Sequence, residues 1–385
     1  MKNAYIVDCV RTARARRKGK FSAVHPVDLL TYPLQALVAR NKIPAEKIED
    51  VLVGCVTQTG EQGWCVGRAG ILAAGWPFSV PATTINRLCG SGQQAVNFAA
   101  SGVLAGTYDL VIGGGLEHMT RVPMFSDCGG EESPALKKHH PDLVQQGVAA
   151  EILAEQFSIT RDDADSFALR SQKLAKQALD QGRFSKSVVP VPYTDEHGAT
   201  QMLACDDNPR PETTIDALKG LKTVFKPDGI ITAGNASAIV DGAAAVLIAS
   251  EAAVGHFNLK PRARIVSQVS IGSPPRVMLT GPVEASRRAL SLAGLQTKDI
   301  DLWEINEAFA PVPIMTMREL LIDPDRVNVN GGGISLGHPL GATGAMLIGM
   351  AVDELERQGA RYALVTMCIG LGMGIATVIE RVANS

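Results

Sequence analysis

The chain has 385 residues, more than one small core needs, so one large α/β unit or two to three fused modules is expected. Hydrophobic residues make up 46% and charged residues 20%, which excludes a disordered chain, and Lys+Arg 37 against Asp+Glu 39 excludes a nucleic-acid binder that works by bulk charge. The seven cysteines are odd in number and hold no CxxC pair; they fit neither a disulfide framework nor a zinc ribbon and point to reduced thiols.

In chain order, Ala4–Cys9 reads as a strand, so the chain opens on structure rather than on a signal segment. The basic cluster Arg11, Arg14, Arg16, Arg17, Lys18 and Lys20 follows; a solvated loop is the main reading and phosphate binding the lesser one. A helix over Pro26–Ala39, a strand over Asp50–Cys55, a helix over Gly92–Ala105 and a strand over Leu110–Gly114 come next. Helices over Ala149–Phe157 and Arg161–Gln181 lie in a stretch otherwise rich in charged and turn residues, 116–232. Strands then read over Ala245–Ser250, Ala263–Val269, Leu302–Ile305 and Ala363–Cys368, with helices over Val283–Ala293, Pro311–Leu321 and Gly344–Gln358. The apolar run Gly242–Ala249 is too short to span a bilayer, and Ala383-Asn384-Ser385 is no peroxisomal address, so a cytoplasmic protein is expected.

Strand and helix alternate as in an α/β fold with covered sheets. An internal repeat is also present. Leu29–Arg40 and Val283–Ala293 each lead through a short polar segment into a strand, Val51–Gly54 and Leu302–Ile305. A Gly-rich turn then opens a helix in each half, Cys89-Gly90-Ser91-Gly92 and Gly341-Ala342-Thr343-Gly344, and each helix is followed by an apolar strand and a glycine cluster. Two copies of one β/α unit about a pseudo-two-fold axis account for this, with equivalent loops facing one another. The expected division is 1–115 plus 233–255 as the first half, 116–232 as an inserted loop domain, and 256–385 as the second half.

Four segments carry chemistry-bearing residues. Asn86–Ala95 puts the Cys89 thiol at a helix N-terminus, where negative charge is favoured; the sulfur is either a nucleophile or a small buried side chain at a tight turn. His338 stands between glycine-rich turns, as a base, an oxyanion donor or a satisfied structural imidazole. Cys368 ends an apolar strand before Gly370-Leu371-Gly372-Met373-Gly374; strand-like Ile375–Ile379 follows instead of a helix, which rules out a dinucleotide turn. Asn306, directly after a strand, holds a water or carbonyl, or caps a helix. No His or Cys shows metal-ligand spacing.

Taken together, these segments resemble the thiolase family in order and over essentially the whole chain. The resemblance implies a five-layered αβαβα core of two similar halves with an inserted loop domain. It implies that Cys89 is the acylated nucleophile, His338 its activator, Cys368 the acid and base, Asn306 the holder of an oxyanion-hole water, and Gly370 a backbone donor beside Cys89. It places Ser237 at pantetheine, Phe225, Ala233 and Phe309 along the CoA channel, and Arg210 near adenine. Departures lie near these pockets: Ala238 and Val240 after the serine, Leu371 in place of a glycine, Gln146 where a Met is common, and a short loop after Pro123-Met124.

The activity so implied is CoA-dependent cleavage of 3-ketoacyl-CoA to acyl-CoA and acetyl-CoA through an acyl-cysteine, with the condensation of two acetyl-CoA as the alternative direction. CoA is a co-substrate; no bound cofactor or metal is expected. A homodimer or homotetramer is implied, with no nucleic-acid partner and no membrane span. A thiol's reference pKa of about 8.5 suits acid and base roles without a large shift. Two rivals are weighed. A decarboxylating ketoacyl synthase uses one Cys and two His, against which Cys368 and Asn306 argue. A non-catalytic CoA carrier is expected to lack at least one of Cys89, His338 and Cys368, and all three are present.

Overall fold

The computed structural model describes residues 2–129 and 133–382. The C-terminal Ala383-Asn384-Ser385 considered above lies outside them. The first half runs β1 (Tyr5–Thr12), α1 (Pro26–Asn41), β2 (Asp50–Gly54), α2 (Val66–Ala73), β3 (Thr83–Ile85), α3 (Ser91–Ala105) and β4 (Leu110–His118). The chain then leaves the sheet, forms α4 (Gln146–Gln156), α5 (Arg161–Asp180) and a hairpin of Val191–Thr194 with Thr200–Leu203, and returns as β5 (Val240–Ala249). The second half runs β6 (Ala263–Gly272), α6 (Gly281–Ala293), β7 (Leu302–Ile305), α7 (Pro311–Leu320), α8 (Leu340–Gln358), β8 (Tyr362–Ile369) and β9 (Met373–Arg381).

The strand order is β7-β8-β9-β6-β1-β5-β4-β2-β3. Its two ends are the same motif twice. In the first half β2 runs parallel to β4, β4 antiparallel to β5, and β5 antiparallel to β1. In the second half β7 runs parallel to β8, β8 antiparallel to β9, and β9 antiparallel to β6. The two half-sheets pair through Tyr5 opposite Arg264 and Ile6 opposite Ala263, so they meet at one short seam. Helices α3 and α8 pack against each other between them, while α1 and α2 cover the outer face of the first and α6 that of the second. The result is the expected αβαβα stack, with a core for the middle layer and one for each outer layer.

The strands that carry the stack read as nearly continuous apolar runs because both faces are covered. The middle helices need small residues to sit so close. A Cβ at Gly92 would lie 2.5 Å from the Gly341 carbonyl oxygen, and one at Gly344 would lie 2.3 Å from the Gln93 nitrogen. This glycine contact locks the two helix N-termini together. The segment between β4 and β5 belongs by chain to the first half, yet α4 and α5 pack on α7 of the second.

The basic cluster is corrected in part. Arg11 and Arg14 are 2% and 1% exposed, not solvated. Arg11 makes a two-pronged pair with Asp206 at 2.7 and 2.8 Å, and the Arg14 backbone N–H donates to the same carboxylate. Removing one partner of such a buried pair costs about 3–5 kcal/mol, so this contact ties β1 to the inserted segment. Arg14 continues inward, donating to Met346 and Met350 sulfurs on α8.

Candidate active site

The crossing of α3 and α8 decides where Cys89 and His338 stand. Cys89 precedes α3 by two residues and His338 precedes α8 by two. Each is presented by a left-handed residue just before it, Leu88 at φ 46 and Gly337 at φ 100. Strain of this kind at a non-glycine residue is kept only where surrounding bonds over-determine it. Here the Ser91 hydroxyl donates to the Leu88 carbonyl at 2.6 Å and accepts from the Arg87 N–H at 2.8 Å.

The second half supplies the rest. Cys368 lies in the last turn-ward residues of β8, and the next side chain, Ile369, packs on Gly90. The backbone turns sharply through Leu371 at φ 62 and Gly372 at φ 82, which aims the Gly370 N–H at the Cys89 sulfur. The Cys89 thiol is close enough to Cys368 to push its pKa up. Asn306 is the first residue after β7, held by its N–H on the Thr366 carbonyl at 3.0 Å. Its Nδ2 lies 3.3 Å from His338 Nε2. α7 starts only at Pro311, so Asn306 is not a helix cap.

The hydrogen bonds assign the imidazole tautomer. The Thr343 hydroxyl donates to the Pro339 carbonyl at 2.9 Å and therefore accepts from His338 Nδ1–H at 2.6 Å. Nε2 is left as the basic nitrogen, next to the Asn306 amide. Asn306 Oδ1 is buried with no partner among the described residues, an acceptor free to hold another group.

Burial sets the protonation states. His338 is lowered to about 3, first by burial and then by the Arg14 charge, so it rests neutral. Cys89 is pushed up to about 11 by burial, against the hydrogen bonds from Gln146, Gly370 and its own N–H. Cys368 is pushed up further, by burial and by Cys89. This corrects the expectation that a helix N-terminus and an ordinary thiol pKa would suffice: desolvation wins, and the site rests as two thiols and a neutral imidazole.

Two buried carboxyls shape the site. Glu117, at the end of β4, accepts from the N–H groups of Val56, Thr57 and Gly341 at 2.9, 3.1 and 2.9 Å, and from Gln62 Nε2 at 3.0 Å. It fastens the start of α8, and with it His338, to the first half. Glu307 accepts from Ser171, Asn328 and the Ile334 N–H, fastening the loop of Asn306 to the glycine-rich loop before His338. Neither was singled out from the sequence, nor was Thr343 or the role of Gln146. Their signal was a polar side chain at the edge of a small or apolar run, which does not reveal its partners.

The remaining candidates fall in three places. Arg210 and Ala233 share a cavity of about 450 Å³ with Arg16, Asn208, Ala238 and Ile334. Phe225 and Phe309 stand edge to face with ring centres 5.9 Å apart. The Ser237 N–H donates to the Ala308 carbonyl, the Ala238 N–H to the Gly333 carbonyl, and the His338 N–H to the Ala238 carbonyl, so the serine segment threads between the loop of Asn306 and the loop of His338. A second depression of about 490 Å³, beside Trp303 and Leu321, contains none of these residues. Among the described residues, no group of three or more His, Cys, Asp or Glu is placed to hold a metal, and no helix is long and apolar enough to cross a membrane.

Comparison with known proteins matches the thiolase N-terminal domain to residues 4–252 and the thiolase C-terminal domain to residues 259–381. The chain is 45% identical to the 3-oxoadipyl-CoA/3-oxo-5,6-dehydrosuberyl-CoA thiolase of Escherichia coli K12, covering 99% of this chain and 100% of that one. It is 42% identical to the 3-ketoacyl-CoA thiolase of Aliivibrio fischeri, again over 99% and 100%. A crystal structure of the Bacillus anthracis acetyl-CoA acetyltransferase superposes with a TM-score of 0.91 at 35% identity, covering 99% of each chain.

Proposed function

Because the chain belongs to the thiolase family and is an acyltransferase of that family, we propose that it cleaves 3-ketoacyl-CoA with a second CoA, by ping-pong transfer through an acyl group on Cys89. The observation that carries the proposal is the close contact of the two helix starts that follow Cys89 and His338, with Cys368 beside Cys89 and the Asn306 amide beside the imidazole.

The neutral imidazole takes the Cys89 proton on Nε2 as the sulfur attacks the keto carbon. The backbone N–H groups of Cys89 and Gly370 hold the oxyanion at that carbon; a donor of this kind is worth about 3–4 kcal/mol. The bond between the α and keto carbons then breaks. Its electron pair becomes an enolate, whose oxygen faces His338 Nε2–H and a water held by Asn306 Oδ1. Cys368 gives its proton to the enolate carbon and becomes a thiolate. Incoming CoA returns a proton to Cys368, its sulfur takes the acyl group, and the departing Cys89 sulfur recovers the proton from His338. Every proton is accounted for after one turnover.

CoA reaches this point along Phe225, Ala233, Ser237 and Phe309, with Arg210 at the wide end beside adenine. The shared cavity and the threading of the serine segment support that assignment. The exposed Trp64 and Phe78 beside the edge strand β3 support a homodimer or homotetramer. A cytoplasmic setting agrees with the seven cysteines all being free thiols.

The test is CoA-dependent loss of acetoacetyl-CoA, of longer 3-ketoacyl-CoAs and of 3-oxoadipyl-CoA, the last after the name of the first relative above. Parallel double-reciprocal lines against CoA are expected. No cleavage of any of these, or consumption of a malonyl thioester with CO2 release, would overturn the proposal.

A further inference from the structure

Cys89 brings its sulfur into a site that offers it little charge. The titratable groups that act on it are Glu117 at the end of β4 and Cys368 of β8, and neither supplies a positive charge; His338, ahead of α8, rests neutral. Glu117 makes the thiolate harder to form. What the fold provides instead is uncharged donors: the Cys89 N–H, the Gly370 N–H and the side-chain amide of Gln146.

The last of these has no other occupation. Gln146 is the first residue of α4, and its position is set by its neighbour: a Cβ at Gly147 would come within 2.3 Å of the Phe225 ring, so the helix start lies flat on that ring. Gln146 Nε2 is buried and finds no protein acceptor in good hydrogen-bond geometry, although it reaches the neighbourhood of the Cys89 sulfur. A buried amide with no acceptor is costly to keep. A neutral thiol is a weak acceptor, whereas a sulfur carrying negative charge is a strong one. The orphaned amide is therefore matched to a state of Cys89 that occurs twice in each turnover.

We propose that Gln146 is a positioning residue for the nucleophile, donating from its side-chain amide to the Cys89 sulfur when that sulfur is charged, both as it attacks and as the acyl group leaves. The proposal rests on Cys89 being the nucleophile. It assigns a role to a glutamine whose donor a methionine of similar length lacks.

The experiment is alkylation of the whole enzyme by iodoacetamide between about pH 7 and 10, read on the Cys89 peptide by mass spectrometry. Site resolution is needed because Cys65, Cys128 and Cys205 are exposed thiols. Gln146→Met removes the donor at similar length, and Gln146→Glu keeps the shape but places a carboxylate beside the sulfur. The pH-rate profile of Cys89 should move up by about one unit in the Met variant, with an alkylation rate at pH 8 about tenfold lower, and further in the Glu variant. kcat/KM for thiolysis should fall in the same order, with KM for CoA little changed. Unmoved profiles, or a loss of the same size in the Met and the Glu variants, would overturn the proposal. Alkylation needs no ketoacyl substrate, so this outcome is separable from failure of the thiolase assay. An enzyme that cleaves 3-ketoacyl-CoA with an unmoved profile refutes the role of Gln146 alone; a moved profile without cleavage refutes the proposed reaction alone.

Discussion

The stretch α3–β4–β5 and the stretch α8–β8–β9 are the same structural sentence written twice, and the contrast between them explains the site. In both, a glycine-opened helix of the middle layer leads to a buried strand paired antiparallel with the next one. In the second half the two strands are joined by Gly370, Leu371 and Gly372 alone, a turn tight enough to deliver a backbone N–H to the sulfur of the other half. In the first half the same connection is opened, and the chain from Met119 to Ile239 passes through it before returning as β5. The residues after the parallel strands differ in the same way. Asn306, first after β7, faces His338, whereas Cys55, first after β2, is an inert buried thiol whose pKa is raised by burial and by Glu117. The two halves hold equivalent sets of loops, and on the proposed mechanism one set is scaffolding where the other carries chemistry.

That contrast can be broken most forcefully at the sulfurs. Cys89→Ala should lower thiolysis by at least about 10⁴-fold while leaving the unfolding transition in place, since its removal takes away the covalent route. Cys368→Ala should lose about 10²–10⁴-fold, the ordinary worth of a proton-transfer group, and should still acylate slowly; wild-type rates in this variant would refute its acid and base role. A smaller effect sharpens the comparison between halves. Asn306→Ala should cost about 10²–10³ in kcat, while the equivalent Cys55→Ala should leave the rate within about twofold and cost about 1–2 kcal/mol of stability in denaturant unfolding. Equal losses of activity from both would mean that the first half's loop takes part in the chemistry. At Glu117 the expected change is in stability. Glu117→Gln puts an amide among four converging donors and should destabilise the fold by about 2–3 kcal/mol through lost and clashing hydrogen bonds, read as a lower denaturant midpoint.

Much of this was legible in the sequence because glycine and strand patterning report backbone needs directly. The turns at Cys89 and His338 demand small residues where two helices cross, and the repeat gave away the doubled motif. The helix α2 escaped notice because Gly67 and Gly70 interrupt its apolar pattern. The structure uses both for contact, Gly70 against Leu30 and Gly67 against the Thr83 carbonyl. The burial of Arg11 escaped notice because its partner, Asp206, is 195 residues away and nothing local marks the pair. Protonation states were the least legible. A sequence shows a thiol beside a helix N-terminus, but only the packed neighbours show that desolvation outweighs that favourable end.

The central claim is that sulfurs from the two halves act on one carbon, the first by bonding to it and the second by moving protons. The most direct measurement is to mix the enzyme with a 3-ketoacyl-CoA, quench, and weigh the peptides containing residues 89 and 368. An acyl mass on the Cys89 peptide is predicted, which added CoA removes quickly from the native enzyme and slowly from Cys368→Ser. An acyl mass on the Cys368 peptide, or none on either, would contradict it.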